Sequence, residues 1–153
     1  MDLTGRRIPG LVLRLVVAAG LIIDAVVHLR LAPGYQLADP AGIGQGNLFR
    51  VEAVVALVAA TYVLLRGSRL SFALASLVGL SALAAVVVTR YLQVPALGPI
   101  PSMYEPVWFF QKSLSAAAEG VAGCLALFAA VVSNRRRNAT RRHQPQLLAK
   151  AKS

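Results

Sequence analysis

Acidic side chains are scarce in this chain, and cysteine is scarcer still. Its 153 residues hold six Asp and Glu against 16 Lys and Arg, with two histidines and one cysteine. A single cysteine excludes an intrachain disulfide, and Cys124 stands in an apolar run rather than in a redox or metal-binding motif. Only one histidine lies outside the C-terminal tail, with no second His or Cys at ligand spacing, so the sequence assigns no metal site. A phosphate-binding glycine loop and a serine–histidine–acid set are also missing. The formal charge of +10 does not mark a nucleic-acid-binding domain, because seven of the basic residues lie after Ser133 and describe a tail. No nucleic-acid partner is expected.

What the chain does have is apolar length. Hydrophobic residues make up 57% of it and the mean hydropathy is +0.64, values of a multi-pass membrane protein in contact with the lipid bilayer. The length suits one bundle and no second domain. The apolar runs predict four membrane-spanning helices at about 8–31, 48–66, 70–91 and 106–133, and a disordered basic cytoplasmic tail over 134–153. The first run, with Arg6 and Arg7 before it, also has the outline of a secretory or twin-arginine export signal. A retained helix is preferred, because Arg14 and Asp24 interrupt the run and no small-residue cleavage site follows it.

The two long loops, 32–47 and 92–105, are rich in Gly and Pro. Asn47 is a candidate cap for the second helix, Gly67-Ser68 a tight turn, and Pro106 a first-turn residue of the fourth helix. Ala75 with Gly79, and Ala116, Gly120 and Cys124, form small-residue stripes that let helices approach closely. Orientation follows from the basic residues. Arg6, Arg7, Arg66, Arg69 and the tail fall on one side, and neither long loop contains Lys or Arg. Both termini are therefore expected in the cytoplasm, and both long loops outside.

This topology gathers ionisable groups from four separate helices into the outer half of the bilayer. They are Asp24 and His28 from the first, Arg50 and Glu52 from the second, Arg90 and Tyr91 from the third, and Glu105, Lys112 and Glu119 at the fourth. Measured from Pro106 at about 1.5 Å per residue, Lys112 is about 9 Å and Glu119 about 20 Å deep. Each such group costs about 2.5–3.5 kcal/mol to insert, so each needs a partner within the protein. Asp24 and His28 share a face at i, i+4, either as a proton-handling pair or as a hydrogen bond that fixes packing. Lys112 is expected to neutralise Asp24 or Glu52, and Arg50 or Arg90 to pair with Glu105. The cluster is either a structural ion-pair network or a polar pocket for a small molecule.

The stretch Gly20-Leu-Ile-Ile-Asp24-Ala-Val-Val-His28-Leu-Arg30, ending the first of four short-looped spans, resembles the DoxX-like group of small bacterial membrane proteins. The segment Gly98-Pro-Ile-Pro-Ser-Met-Tyr-Glu-Pro-Val-Trp108, with Lys112 and Glu119 behind it, is similar to a block in actinobacterial integral membrane proteins of uncharacterised role. The first resemblance implies an inner-membrane protein accessory to a redox or envelope-stress complex, with quinone as a candidate cofactor and a membrane complex or homo-oligomer as its setting. No catalytic residue is carried over. The other readings are a proton-linked carrier or membrane enzyme using Asp24, His28, Glu52, Lys112 and Glu119, and a purely structural subunit. Whether the chain is an enzyme is left open.

Overall fold

The structure, a computed structural model, describes residues 4–38, 43–98 and 100–150, with side chains described between Gly10 and Ser133. The described residues form four helices and no strand-built sheet: α1 (Thr4–Ala38), α2 (Gln45–Arg66), α3 (Arg69–Tyr91) and α4 (Phe110–Lys150). Each holds a segment long and apolar enough to cross a membrane: Gly10–Leu37, Gln45–Arg66, Arg69–Tyr91 and Phe110–Ser133. The protein is an all-α, multi-pass transmembrane bundle. Its helices run up and down in ring order, with α1 against α2 and α4, and α3 against α4 and α2. Among the described residues the diagonal pair α1 and α3 barely meet, and the backbones of α2 and α4 stay apart. The loops after α1 and α3 therefore share one end of the bundle, and the Gly67-Ser68 turn marks the other.

Local chemistry explains most boundaries. Gly67 takes φ 51°, ψ 31° and ends α2 in the left-handed conformation, where its N–H bonds the Val63 carbonyl at 2.9 Å. The next residue, Ser68, caps α3 by accepting from the Ser71 N–H at 3.2 Å. That turn is the one expected. The start of α2 is not. It lies at Gln45, so Asn47 sits inside the first turn and is not its cap. The Asn47 N–H instead donates to the Gln36 side chain of α1 at 3.1 Å, a cap supplied by a neighbouring helix.

α1 continues past Leu31 to Ala38, through Pro33, because proline removes a single ladder donor and its ring faces outward here. The first connection is thus shorter than the predicted 32–47 loop. The second is longer: α4 begins at Phe110 rather than Pro106. Counted from Phe110, Lys112 lies only about 3 Å and Glu119 about 14 Å along the helix. Between α3 and α4 the chain folds back on itself, with backbone bridges between Val94 and Met103 and between Leu97 and Ile100. A further bond at 3.0 Å, from the Glu105 N–H to the Thr89 carbonyl, ties this loop to the end of α3. The α4 trace continues to Lys150, and the side chains of the basic stretch expected as a disordered tail lie outside the described residues.

The core is built largely of alanine, including Ala18, Ala25, Ala53, Ala56, Ala60, Ala75, Ala122 and Ala126, around Val17, Leu21 and Val63. In lipid the force between helices comes from close packing rather than from escape from water, so small residues take the interface. The large apolar side chains Leu15, Val54, Leu65, Leu77 and Phe128 point outward, as lipid contact requires. Two glycines fix the spacing around α4. A Cβ on Gly20 would stand 2.8 Å from the Ala122 Cβ and 3.0 Å from the Ala118 carbonyl. On Gly79 it would stand 3.0 Å from the Glu119 carbonyl and 3.2 Å from the Gly123 Cα. The face that α4 turns inward is Lys112, Ser115, Ala118, Glu119, Ala122, Gly123, Ala126, Ala129 and Ala130. The predicted stripe of Ala116, Gly120 and Cys124 is offset from it, and Cys124 is exposed to the bundle's outside.

Candidate functional site

The close approach of α1 and α4 at Gly20 brings four polar side chains together one turn further along. Asp24 and Glu119 are fully buried, and His28 and Ser115 nearly so. The His28 Nδ1 lies 2.7 Å from Asp24 Oδ1 and 3.1 Å from the Asp24 carbonyl. The Ser115 Oγ is 2.7 Å from Asp24 Oδ1 and also 2.7 Å from Glu119 Oε1. A hydroxyl has one proton to donate, so it serves as donor to one carboxyl group at a time. The second oxygens of the two carboxyls, Asp24 Oδ2 and Glu119 Oε2, are buried and have no partner among the described residues. The ring of Phe49, from α2, packs edge-on against His28 at 5.0 Å and 87°. That contact holds the imidazole against α1.

Beside this cluster lies a cavity of about 260 Å³. Val27, Leu31, Phe49, Val86 and Phe109 give it apolar walls, and His28, Glu52, Lys112 and Ser115 put polar atoms into it. Glu52 Oε1 is buried without a partner. Lys112 donates to the Glu105 carbonyl at 2.5 Å, and its ammonium stands 5.5 Å from the centre of the Trp108 ring. At the loop end, the Tyr35 hydroxyl donates to Glu105 Oε2 at 2.9 Å, linking α1 to the α3–α4 connection.

Several expected pairings are absent among the described residues, where the one ion pair is His28 with Asp24. Lys112 bonds a backbone carbonyl rather than Asp24 or Glu52, because it emerges from the third residue of α4, beside the loop. Neither Arg50 nor Arg90 meets Glu105. Arg50 is exposed and donates to Asn47 Oδ1 at 2.5 Å. The half-buried Arg90 lies 5.1 Å from the centre of the Tyr91 ring, and Tyr91 itself is exposed. Of the nine candidates, Asp24, His28 and Glu119 form the cluster, and Glu52, Glu105 and Lys112 join His28 on the cavity wall. Arg50, Arg90 and Tyr91 belong to neither.

Sequence reasoning missed Ser115, Tyr35 and Phe49. Ser115 was within reach of it: three residues after Lys112 and four before Glu119, it has to share their face. Tyr35 and Phe49 could not be found that way, since one stood in a presumed loop and the other in an unmarked apolar run.

Fold and site together define a four-span transmembrane bundle with an intramembrane polar cluster opening onto a cavity. Comparisons with protein-family models, with curated proteins and with solved structures find no match to this chain.

Proposed function

We propose that this is a bacterial inner-membrane protein that binds a small amphiphilic ligand, a quinone head group, in the cavity among its four helices. It would do so as an accessory to a redox or envelope-stress complex, with both termini in the cytoplasm. The observation that carries the reading is the cavity itself, with polar side chains aimed into an otherwise apolar space of about 260 Å³. A bundle held only by paired charges would fill that volume, since interiors leave few voids larger than a water molecule. The shape and lining are those of a small-molecule site, with apolar walls and a few convergent polar groups. Lys112, with N–H donors to spare beyond the Glu105 carbonyl, can donate to a carbonyl oxygen, His28 can donate or accept, and the aromatic and branched walls suit a flat ring.

The single tryptophan makes this testable, because Trp108 lies against Lys112. Purified protein in nanodiscs is titrated with a short-chain quinone while tryptophan fluorescence is followed. Saturable quenching is expected, and Lys112→Ala should weaken the apparent affinity at least tenfold while the protein stays helical and monodisperse. Quenching that is linear in quinone, and equal in wild type and Lys112→Ala, reflects partition into lipid and would end the proposal.

A further inference from the structure

We propose that Asp24, His28 and Glu119 form a binding site for one divalent transition-metal ion, with zinc, iron(II) and manganese(II) as the class. Asp24 and His28 have no third ligand near them in the chain; Glu119 comes from α4, and the α1–α4 contact delivers it. Candidate ligand atoms of the three residues all lie within 4.8 Å of one another, and all three side chains are buried. Ligand atoms about 2.1 Å from a tetrahedral ion stand about 3.4 Å apart, so the three side chains would close by up to about 1.4 Å around it.

Two independent observations point to a ligand and not simply to clustered acids. First, Asp24 Oδ2 and Glu119 Oε2 are sealed from solvent and bonded to nothing among the described residues. Buried polar oxygens are rarely left so, and two of them on neighbouring carboxyl groups call for either a shared proton or an ion. Second, the cluster holds two carboxyl groups and a single cationic partner, His28 on Asp24. No Lys or Arg makes an ion pair with either carboxylate among the described residues, and the nearby ammonium of Lys112 bonds the loop carbonyl. Two carboxylates and a neutral imidazole around one divalent ion sum to zero charge, the state that a low-dielectric interior favours.

An imidazole nitrogen with carboxylate oxygens selects a first-row transition ion over magnesium or calcium, which favour all-oxygen sites. With the ion in place, Ser115 would donate its one proton to a ligating carboxylate and hold it in position, the usual task of a second partner behind a ligand. His28 also lines the cavity, so the ion would sit at the cavity's polar end. Three protein ligands leave coordination open to another group there.

The rival occupant is a set of protons shared between the carboxyl groups, and metal content separates the two. Full-length protein in detergent is stripped with chelator, reloaded separately with Zn²⁺ and Co²⁺, passed over a desalting column, and its bound metal counted. The expected result is about one ion per chain, with visible absorption from bound Co²⁺. Glu119→Gln and Asp24→Asn should each lower affinity at least tenfold, whereas His143→Ala in the tail should leave it unchanged. Sub-stoichiometric uptake by folded wild-type protein, or uptake insensitive to both carboxyl variants, overturns the assignment. If a variant fails to fold, the wild-type stoichiometry and the Co²⁺ spectrum decide it alone. No quinone is present, so the outcome is independent of whether the cavity binds one.

Discussion

Ser115 is a small side chain with a large responsibility, because its hydroxyl touches both buried carboxyl groups of the cluster. Removing it leaves the buried Glu119 carboxyl without a hydrogen-bond partner among the described residues, while Asp24 keeps His28. A buried polar group that loses its partner costs about 1–3 kcal/mol. Ser115→Ala should therefore lower the thermal midpoint in detergent by several degrees, as followed by circular dichroism. Ser113→Ala, two residues away and exposed, should stay within about 0.5 kcal/mol of wild type. Equal effects of the two substitutions would mean that the bridge contributes nothing. The same contrast separates Glu119 from Cys124. Both lie in one apolar helix, yet the carboxylate is buried inside the bundle and the thiol faces out.

Helices in a bilayer are read differently from helices in water, and α4 shows why. Lipid outside and alanine inside are equally apolar, so no hydrophobic stripe tells the two faces apart. Small residues occur all round α4, and choosing Ala116, Gly120 and Cys124 as the interface was a choice among near equals. The polar positions carried the missing phase. Extending Lys112, Ser115 and Glu119 by turns of three and four gives Ala122, Gly123, Ala126 and Ala130, which is the face observed inside. The existence of all four helices was readable from apolar length alone. Boundaries in the Gly- and Pro-rich loops were not, since Pro33 was read as a break and lies within α1.

The same packing makes a prediction about spacing. Gly20 and Gly79 place α1 and α3 against the backbone of α4, where a branched side chain has no room. Gly20→Val and Gly79→Val should each destabilise by about 1–3 kcal/mol, the usual range for overpacking. Gly10 and Gly34 have nothing within 4 Å of an added Cβ, so valine there should be tolerated. Helix propensity changes alike at all four positions, so a uniform loss across the set would assign the effect to the backbone and not to the helix contacts.

The bundle as a whole has two unlike ends, and which compartment each one faces decides what can enter the cavity. Tyr35, Met103 and Glu105 line the cavity toward the end where α1 gives way to α2 and α3 to α4, so its mouth is expected at that end. Residues 92–109 carry no Lys or Arg, whereas Arg66 and Arg69 flank the opposite turn and seven basic residues follow Ser133. Basic residues near span ends are retained in the cytoplasm, so the mouth should open away from it. In a Cys124→Ser background, Ser102→Cys places a single thiol on the exposed loop beside the mouth, and Ser153→Cys one at the C-terminus. A membrane-impermeant maleimide should label the first in intact spheroplasts and the second only after lysis. The reverse pattern would turn the cavity toward the cytoplasm. A ligand would then have to come from that side, and the positive charge of the tail would lie on the outer face, against the bias that sets topology elsewhere.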